Sequence, residues 1–141
     1  MATFLLKTEP DDYSFADLER DGSTRWSGIT NPAALKALRE ARAGDEAFIY
    51  HTGDEKSVVG LAKIVKGAYP DPKKPGNTAA GETKFPVIDI APLRRVATPL
   101  SLQTIKSDKR FAQLGLVKQT RLSVMPVPPE LDKLVRKLSG L

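Results

Sequence analysis

The 141-residue sequence contains no cysteine and only one histidine, and each of these shortages excludes a kind of site. Without cysteine there is neither a disulfide nor a thiolate metal site, and a reducing, cytoplasmic location is expected. A single histidine also excludes a histidine-cluster metal centre. No apolar run approaches the length of a membrane span, and the first ten residues lack the segments of a secretory leader. We therefore expect no metal, no cofactor and no membrane partner.

The chain is rich enough in apolar residues to fold without such supports. Hydrophobic residues make up 40% of the sequence, which predicts a single domain over residues 1–141 with its own core. The net charge of +5 is unevenly distributed: residues 94–141 carry 10 Lys and Arg against 3 Asp and Glu. A basic C-terminal third is compatible with a polyanionic partner such as nucleic acid, although many basic domains bind none.

The apolar patterning predicts strands and helices without a regular βαβ alternation. The predicted strands are Thr3–Lys7, Glu46–His51, Val58–Val65, Phe85–Val96 and Arg121–Met125. Gly60 marks a bulge or a close approach in the third of them. Five helices are predicted. The first follows Ser14, the second runs from Pro32 to Arg42 with Gly44 as its closing glycine, and the third follows Ser101. The fourth covers 108–114, and the fifth starts at Pro129. A long polar loop is expected over 69–84. This order favours an α+β fold with a small, mainly antiparallel curved sheet or barrel decorated by helices.

The only tryptophan, Trp26, lies five residues before a well-marked helix start. Asn31 is a favoured N-cap residue, and Pro32 after it is a favoured first helical residue. Gly28 lets the backbone between them approach a neighbour closely. A flat ring beside the amide-rich end of a helix can stack on a planar group and hydrogen-bond to it. The alternative is that Trp26 fills the core beneath a capped helix.

Polar side chains cluster where the predicted strands end. Lys7 and Glu9 leave the first strand on the same side by parity, so they line a ligand mouth or pair with each other. His51 ends the central strand and is the residue best suited to acid–base chemistry. We favour a structural or binding role for it, because no nucleophile elbow, carboxylate pair or metal spacing accompanies it. Tyr13 and Tyr69 either stack on a base or cover the core.

Five motifs taken together resemble the EVE domain family of the PUA-like superfamily, which is close in architecture to YTH and ASCH domains. The resemblance covers residues 3–139. The motifs are Lys7-Thr-Glu-Pro10, Trp26-Ser-Gly-Ile-Thr-Asn31, Tyr50-His-Thr52, Ala68-Tyr-Pro-Asp71 and Arg121-Leu-Ser-Val-Met-Pro126. Each motif is short, and their common order makes the resemblance specific.

The resemblance implies a PUA-like pseudo-barrel of five or six mainly antiparallel strands. It also implies a non-catalytic pocket that receives a flipped, modified base, above all a modified cytosine, in DNA or RNA. A flipped base is held by stacking and by hydrogen bonds to its pairing edge. By this resemblance the pocket residues are Trp26, Ser27, Asn31, Lys7, Thr8, Glu9, His51 and Thr52, with Tyr69 and Arg121 at the rim or on phosphate.

The sequence departs from the family pattern beside the tryptophan. The family usually has Trp-Asp-Gly-Val-Arg-Asn, whereas Ser27 and Thr30 replace the acidic and basic members here. An arginine expected on the following helix is also missing. These replacements bear on base specificity and phosphate contacts and leave the expected fold unchanged. The alternative function is a PUA-like enzyme, an ASCH-like nuclease or amidohydrolase, that uses Lys7, Glu9 and His51.

Overall fold

A computed structural model describes all residues, 1–141, and consists of one curled six-stranded sheet with five α-helices. The strands are β1 Thr3–Thr8, β2 Thr24–Trp26, β3 Glu46–His51, β4 Ser57–Pro70, β5 Pro86–Ser101 and β6 Val124–Pro126. The helices are α1 Phe15–Asp21, α2 Pro32–Glu40, α3 Leu102–Ser107, α4 Gly115–Lys118 and α5 Pro129–Ser139, with one 3-10 turn at Lys109–Phe111.

The strand order across the sheet is β2-β5-β4-β3-β1-β6. Only β1 and β3 are parallel, and every other neighbouring pair is antiparallel. The expected α+β fold with a mainly antiparallel sheet is therefore confirmed. Because β1 and β3 are parallel, both end at the same edge of the sheet, where Thr8 pairs with His51. At the opposite end of β1, Thr3 donates a hydrogen bond to Asp132 of α5.

The helix starts predicted from capping residues are correct. Ser14 and Asp17 form a reciprocal capping box at α1. Asn31 accepts hydrogen bonds from two amides of the first turn of α2. The end of α2 was predicted wrongly. The helix stops at Glu40, and Gly44 forms a tight turn with φ 96°, from which its amide donates to the Ile64 carbonyl of β4.

Several observed element boundaries differ from the predicted ones, because pairing with a partner strand determines them rather than the local sequence pattern. The β4–β5 hairpin extends beyond its apolar part, with Tyr69 paired to Val87, so the loop spans 71–85 instead of the predicted 69–84. The late strand begins at Val124, and Arg121 lies in the turn before it. The predicted helix at 108–114 is reduced to the 3-10 turn, and the short α4 follows it. β2 was predicted as a loop, since three residues are too few to show an alternation.

Gly60 is the close-approach point that the sequence indicated. The pairing of β4 with β5 shifts register between Val58 and Gly60. A Cβ added at Gly60 would lie 2.4 Å from Cε1 of Phe15, the first residue of α1. Phe15 is fully buried, so this contact fixes how closely α1 packs on the sheet.

Candidate functional site

A pocket of about 300 Å³ opens where β1 and β2 end. It is bounded on one side by the turn from β1 into α1 and on the other by the segment that leads from β2 to α2. Its lining residues are Lys7, Thr8, Glu9, Asp12, Tyr13, Thr24, Arg25, Trp26, Ser27 and Ile29. Three of them are aromatic or aliphatic, and the others carry hydroxyl or charged groups that can form hydrogen bonds.

Trp26 both packs in the core and lines this pocket. Its residue is only 8% exposed, and it belongs to the main hydrophobic cluster. The ring of Tyr13 meets it edge to face, with centroids 6.3 Å apart and planes at 78°. The two alternatives for Trp26 that the sequence left open are therefore not exclusive.

Tyr13 is held in place at both its backbone and its hydroxyl. The carbonyl of Tyr13 accepts a 2.6 Å hydrogen bond from Thr8 Oγ1, and its amide donates to the Glu9 carbonyl. The phenol donates to Asp21 Oδ2 at 2.8 Å. Burial raises the pKa of the Tyr13 hydroxyl, so it stays neutral near pH 7. The aromatic wall formed by Tyr13 and Trp26 is thus fixed before any ligand arrives.

Lys7 and Glu9 face the pocket without forming an ion pair with each other. Lys7 Nζ donates to the Thr120 carbonyl at 2.9 Å. Burial lowers the pKa of this ammonium. Glu9 Oε2 accepts from Thr52 Oγ1 at 3.1 Å, which orients the carboxylate. Thr52 does not line the pocket and is connected to it through Glu9 and through the carbonyl of Thr8, to which its amide donates.

His51 lies behind the pocket and does not line it. The residue is 6% exposed, and its Nε2 accepts a hydrogen bond from the Phe15 amide at 3.0 Å. Its Nδ1 lies 3.1 Å from Glu55 Oε1. Both ring nitrogens are therefore engaged within the protein, which is the arrangement of a structural histidine.

Asn31 and Arg121 lie together in a neighbouring hollow of about 350 Å³. Tyr69 lies on the other side of the pocket, on β4. Its hydroxyl donates to Asp89 Oδ1 at 2.6 Å and accepts from Arg25 Nε at 3.0 Å. Arg25 lines the pocket, so Tyr69 is connected to it through one side chain. Burial raises the pKa of the Tyr69 hydroxyl.

Four lining residues were not identified from the sequence: Asp12, Thr24, Arg25 and Ile29. Asp12 follows the Lys7–Pro10 motif within two residues, and the turn there brings it back to the mouth. Thr24 and Arg25 precede Trp26 directly, and recognition of β2 would have placed them beside it. For Ile29 no local signal distinguishes a pocket residue from a loop residue.

The cations of the basic C-terminal third are dispersed over the surface. Arg95 pairs with Glu19, Arg110 with Asp108, and Arg136 with Glu46 and Asp132. Among the Lys and Arg residues of 94–141, only Lys118 and Arg121 line the hollow next to the pocket. No group of three or more potential metal ligands is present, and none of the helices is both long and apolar enough to span a membrane.

A curled, mainly antiparallel sheet with helices around it and a polar, partly aromatic pocket at its strand ends defines a PUA-like domain. Within that class, the model of the EVE domain matches residues 2–138. The chain belongs to the EVE domain family, as the motifs of the sequence indicated.

Relatives of known name and structure agree with this assignment. Thymocyte nuclear protein 1 of Rattus norvegicus is 29% identical over 155 residues, which cover 90% of this chain and 69% of that protein. An NMR structure from Rhodopseudomonas palustris shares 38% identity, with a TM-score of 0.88 over 99% of this chain and 94% of that one. Human THYN1 protein in complex with 5-methylcytosine-containing DNA shares 27% identity, with a TM-score of 0.89 over 100% of this chain and 99% of that one. An ASCH protein of Zymomonas mobilis, at 15% identity and a TM-score of 0.55, is similar in fold alone.

Proposed function

We propose that this chain is a non-catalytic nucleic-acid-binding protein whose pocket receives a modified base, in particular a modified cytosine, flipped out of DNA or RNA. The observation that carries the proposal is the pocket itself, in which the wall of Trp26 and Tyr13 faces a set of charged and hydroxyl groups. The DNA complex of the human THYN1 protein, similar in structure over the whole chain, supports the choice of ligand.

The polar groups of the pocket match the pairing edge of cytosine. This edge offers an amino group as donor and two acceptors. The carboxylates of Glu9 and Asp12 can accept from the amino group, and Lys7 and Ser27 can donate to the acceptors. Asp12 and Ser27 are exposed residues at the pocket, so the Asp12 carboxylate and the Ser27 hydroxyl are accessible to a ligand. Ile29 and the aromatic wall supply apolar surface for a base methyl group.

The remaining predicted site residues act from behind the pocket or at its rim. Thr8 holds the Tyr13 wall, and Thr52 orients Glu9. His51 and Asn31 fix the starts of α1 and α2, the helices on either side. Tyr69 and Arg121 belong to the rim, where they contact the nucleic acid outside the base. Tyr69 does so together with Arg25.

The alternative enzymatic function needs Lys7, Glu9 and His51 to act on one substrate. Lys7 and Glu9 line the pocket, but His51 does not, and both of its ring nitrogens are hydrogen-bonded within the protein. General acid–base catalysis requires the group to reach the reacting atom. This arrangement favours binding over turnover.

The single tryptophan gives a direct test, because its fluorescence reports on the pocket. Oligonucleotides that are identical except for one 5-methylcytosine in place of cytosine should be titrated as DNA and as RNA, single- and double-stranded. We expect tighter binding and a larger fluorescence change for a modified oligonucleotide. Equal affinity for all matched pairs would contradict the proposal. Cleavage of labelled RNA or of N-acylated nucleosides that His51→Ala abolishes would favour the enzyme instead.

A further inference from the structure

A second concavity, here called the α2 hollow, adjoins the base pocket. It is lined by Asn31, Ala33, Lys118, Gln119, Thr120, Arg121 and Leu122, and its volume is about 350 Å³. Two of these residues are cationic and none is acidic. Lys118 and Arg121 are exposed and form no ion pair, and the only hydrogen bond from Lys118 Nζ goes to Gln113 at 3.2 Å. The α2 hollow therefore carries uncompensated positive charge.

The α2 hollow and the base pocket share their dividing wall. Lys7 lines the pocket, and its ammonium is bonded to the carbonyl of Thr120, which lines the hollow. On the other side, Ser27 lines the pocket and Asn31, four residues later, lines the hollow. The α2 hollow is therefore close enough to the pocket to receive a group of the neighbouring nucleotide.

The two cations that line the pocket itself, Lys7 and Arg25, are both hydrogen-bonded within the protein. Arg25, at the opposite wall, donates to Tyr69, whose hydroxyl is in turn bonded to Asp89. At the start of α2, the amides of Ala33 and Ala34 are already taken by the Asn31 side chain. An anion in the α2 hollow would thus be bound by Lys118 and Arg121 rather than by the helix terminus.

The lysines of α5 lie at the far end of the sheet. Asp132 of α5 contacts Thr3, the first residue of β1, whereas the pocket lies at the last residues of that strand. At the usual rise per residue, six residues of strand separate these ends by about 16 Å. Lys133 and Lys137 are therefore far from the pocket, and variants at these positions serve as controls for the effect of charge near it.

We propose that the α2 hollow binds a backbone phosphate next to the flipped nucleotide, so that the strand leaves the pocket on the side of Lys118 and Arg121. The inference rests on the proposed function and adds the path of the polymer. Phosphate contacts set position and affinity without reading the base. The hollow should therefore contribute equally to binding of modified and unmodified oligonucleotides.

The test compares Lys118→Ala and Arg121→Ala with Lys133→Ala and Lys137→Ala. Affinity is measured at several salt concentrations for the matched oligonucleotides above, and for 5-methylcytidine and 5-methyldeoxycytidine, which carry no phosphate. Each hollow variant should weaken oligonucleotide binding about 3- to 10-fold and reduce the slope of log K against log salt by about 0.7–0.9. The ratio between modified and unmodified oligonucleotides and the nucleoside affinity should stay the same, and the α5 variants should resemble wild type.

Lys66→Ala tests the opposite side of the pocket, because the Lys66 ammonium lies 4.0 Å from the Tyr69 ring centre. A reduced salt slope in this variant, with none in the hollow variants, would overturn the inference and place the strand beside Tyr69. Unchanged slopes in the hollow variants, with nucleosides still bound, would overturn the α2 hollow and leave the base pocket intact. If wild type binds neither nucleosides nor modified oligonucleotides, the proposed function and this inference both fail.

Discussion

The Nε2 atom of His51 accepts a 3.0 Å hydrogen bond from the backbone amide of Phe15. An acceptor at Nε2 requires the neutral ring to carry its proton on Nδ1, which then donates to Glu55 Oε1 at 3.1 Å. The histidine thus connects the end of β3 to the first residue of α1. It thereby anchors the start of α1, the helix that follows the turn on one side of the pocket.

Replacement of His51 should therefore affect stability before it affects chemistry. His51→Ala leaves the buried amide of Phe15 without an acceptor, which typically costs about 1–3 kcal/mol. His51→Gln supplies an amide oxygen near the position of Nε2 and should recover most of that loss. Urea unfolding of the three proteins measures the difference. If the Gln variant is as unstable as the Ala variant, the hydrogen bond to Phe15 is not what His51 contributes.

Gly60 should resist even the smallest substitution. A Cβ at this position would come within 2.4 Å of the Phe15 ring, and that ring is buried and held by its neighbours. Gly60→Ala should destabilise the protein by about 1–3 kcal/mol, as overpacking of a core does. Gly115→Ala is the matched control, because its Cβ would meet Met125 only at 3.1 Å (Sδ) and 3.3 Å (Cβ), contacts that a small shift can relieve. Equal stability of the two variants in thermal melting would contradict this account.

Trp26→Ala should lower both stability and binding. Since Trp26 is 8% exposed, its removal should cost about 3–5 kcal/mol, as for other buried aromatic residues. Loss of a stacking wall should also weaken binding of a modified base about 10- to 100-fold. Trp26→Phe should retain part of both properties, since an aromatic ring remains.

Phe111→Leu serves as the control for Trp26, because Phe111 is fully buried and does not line the pocket. This variant should melt at a lower temperature while its folded fraction binds with wild-type affinity. Melting and binding are measured on the same preparations below the melting transition. If folded Trp26→Ala protein binds a modified base normally, the pocket described here is not the base-binding site.

The parts of the fold that sequence predicted are those set by local chemistry. The capping residues Ser14 and Asn31 satisfy amides only two or three residues away, so their effect is visible in the sequence. The parallel pairing of β1 with β3 and the short β2 depend on strands distant in the chain. Neither leaves a periodic signal in the strand itself.

In the candidate site, too, some features follow from local sequence and others from contacts between distant parts of the chain. Lys7-Thr8-Glu9 and Trp26-Ser27 were predicted for the pocket by resemblance to the family, and the structure brings them together. The position of His51 could not be predicted in this way, because five consecutive residues of β3 are buried and parity does not indicate a face. The contact between Lys7 and Thr120 joins residues 113 apart in the chain, and it links the pocket to the α2 hollow.

Lys7 should make binding sensitive to alkaline pH. Burial lowers the pKa of its ammonium below the ordinary 10.5, so the folded protein releases this proton at lower pH than the unfolded chain does. Between those two pKa values the unfolded state binds more protons, and this group's contribution to stability rises with pH. Binding should respond in the opposite direction. The proton that donates to a base or screens a phosphate is lost, so affinity falls as pH rises through the lowered pKa.

Lys7→Arg separates this effect from the general response of nucleic acid to pH, because a guanidinium keeps its charge throughout the range. Affinity for a modified oligonucleotide is measured from neutral pH to the alkaline limit of oligonucleotide stability. Wild type should lose affinity before pH 10.5. Lys7→Arg should stay nearly constant, and Lys7→Met should be weak at every pH. Parallel curves for wild type and Lys7→Arg would show that the ammonium of Lys7 does not contact the bound nucleic acid.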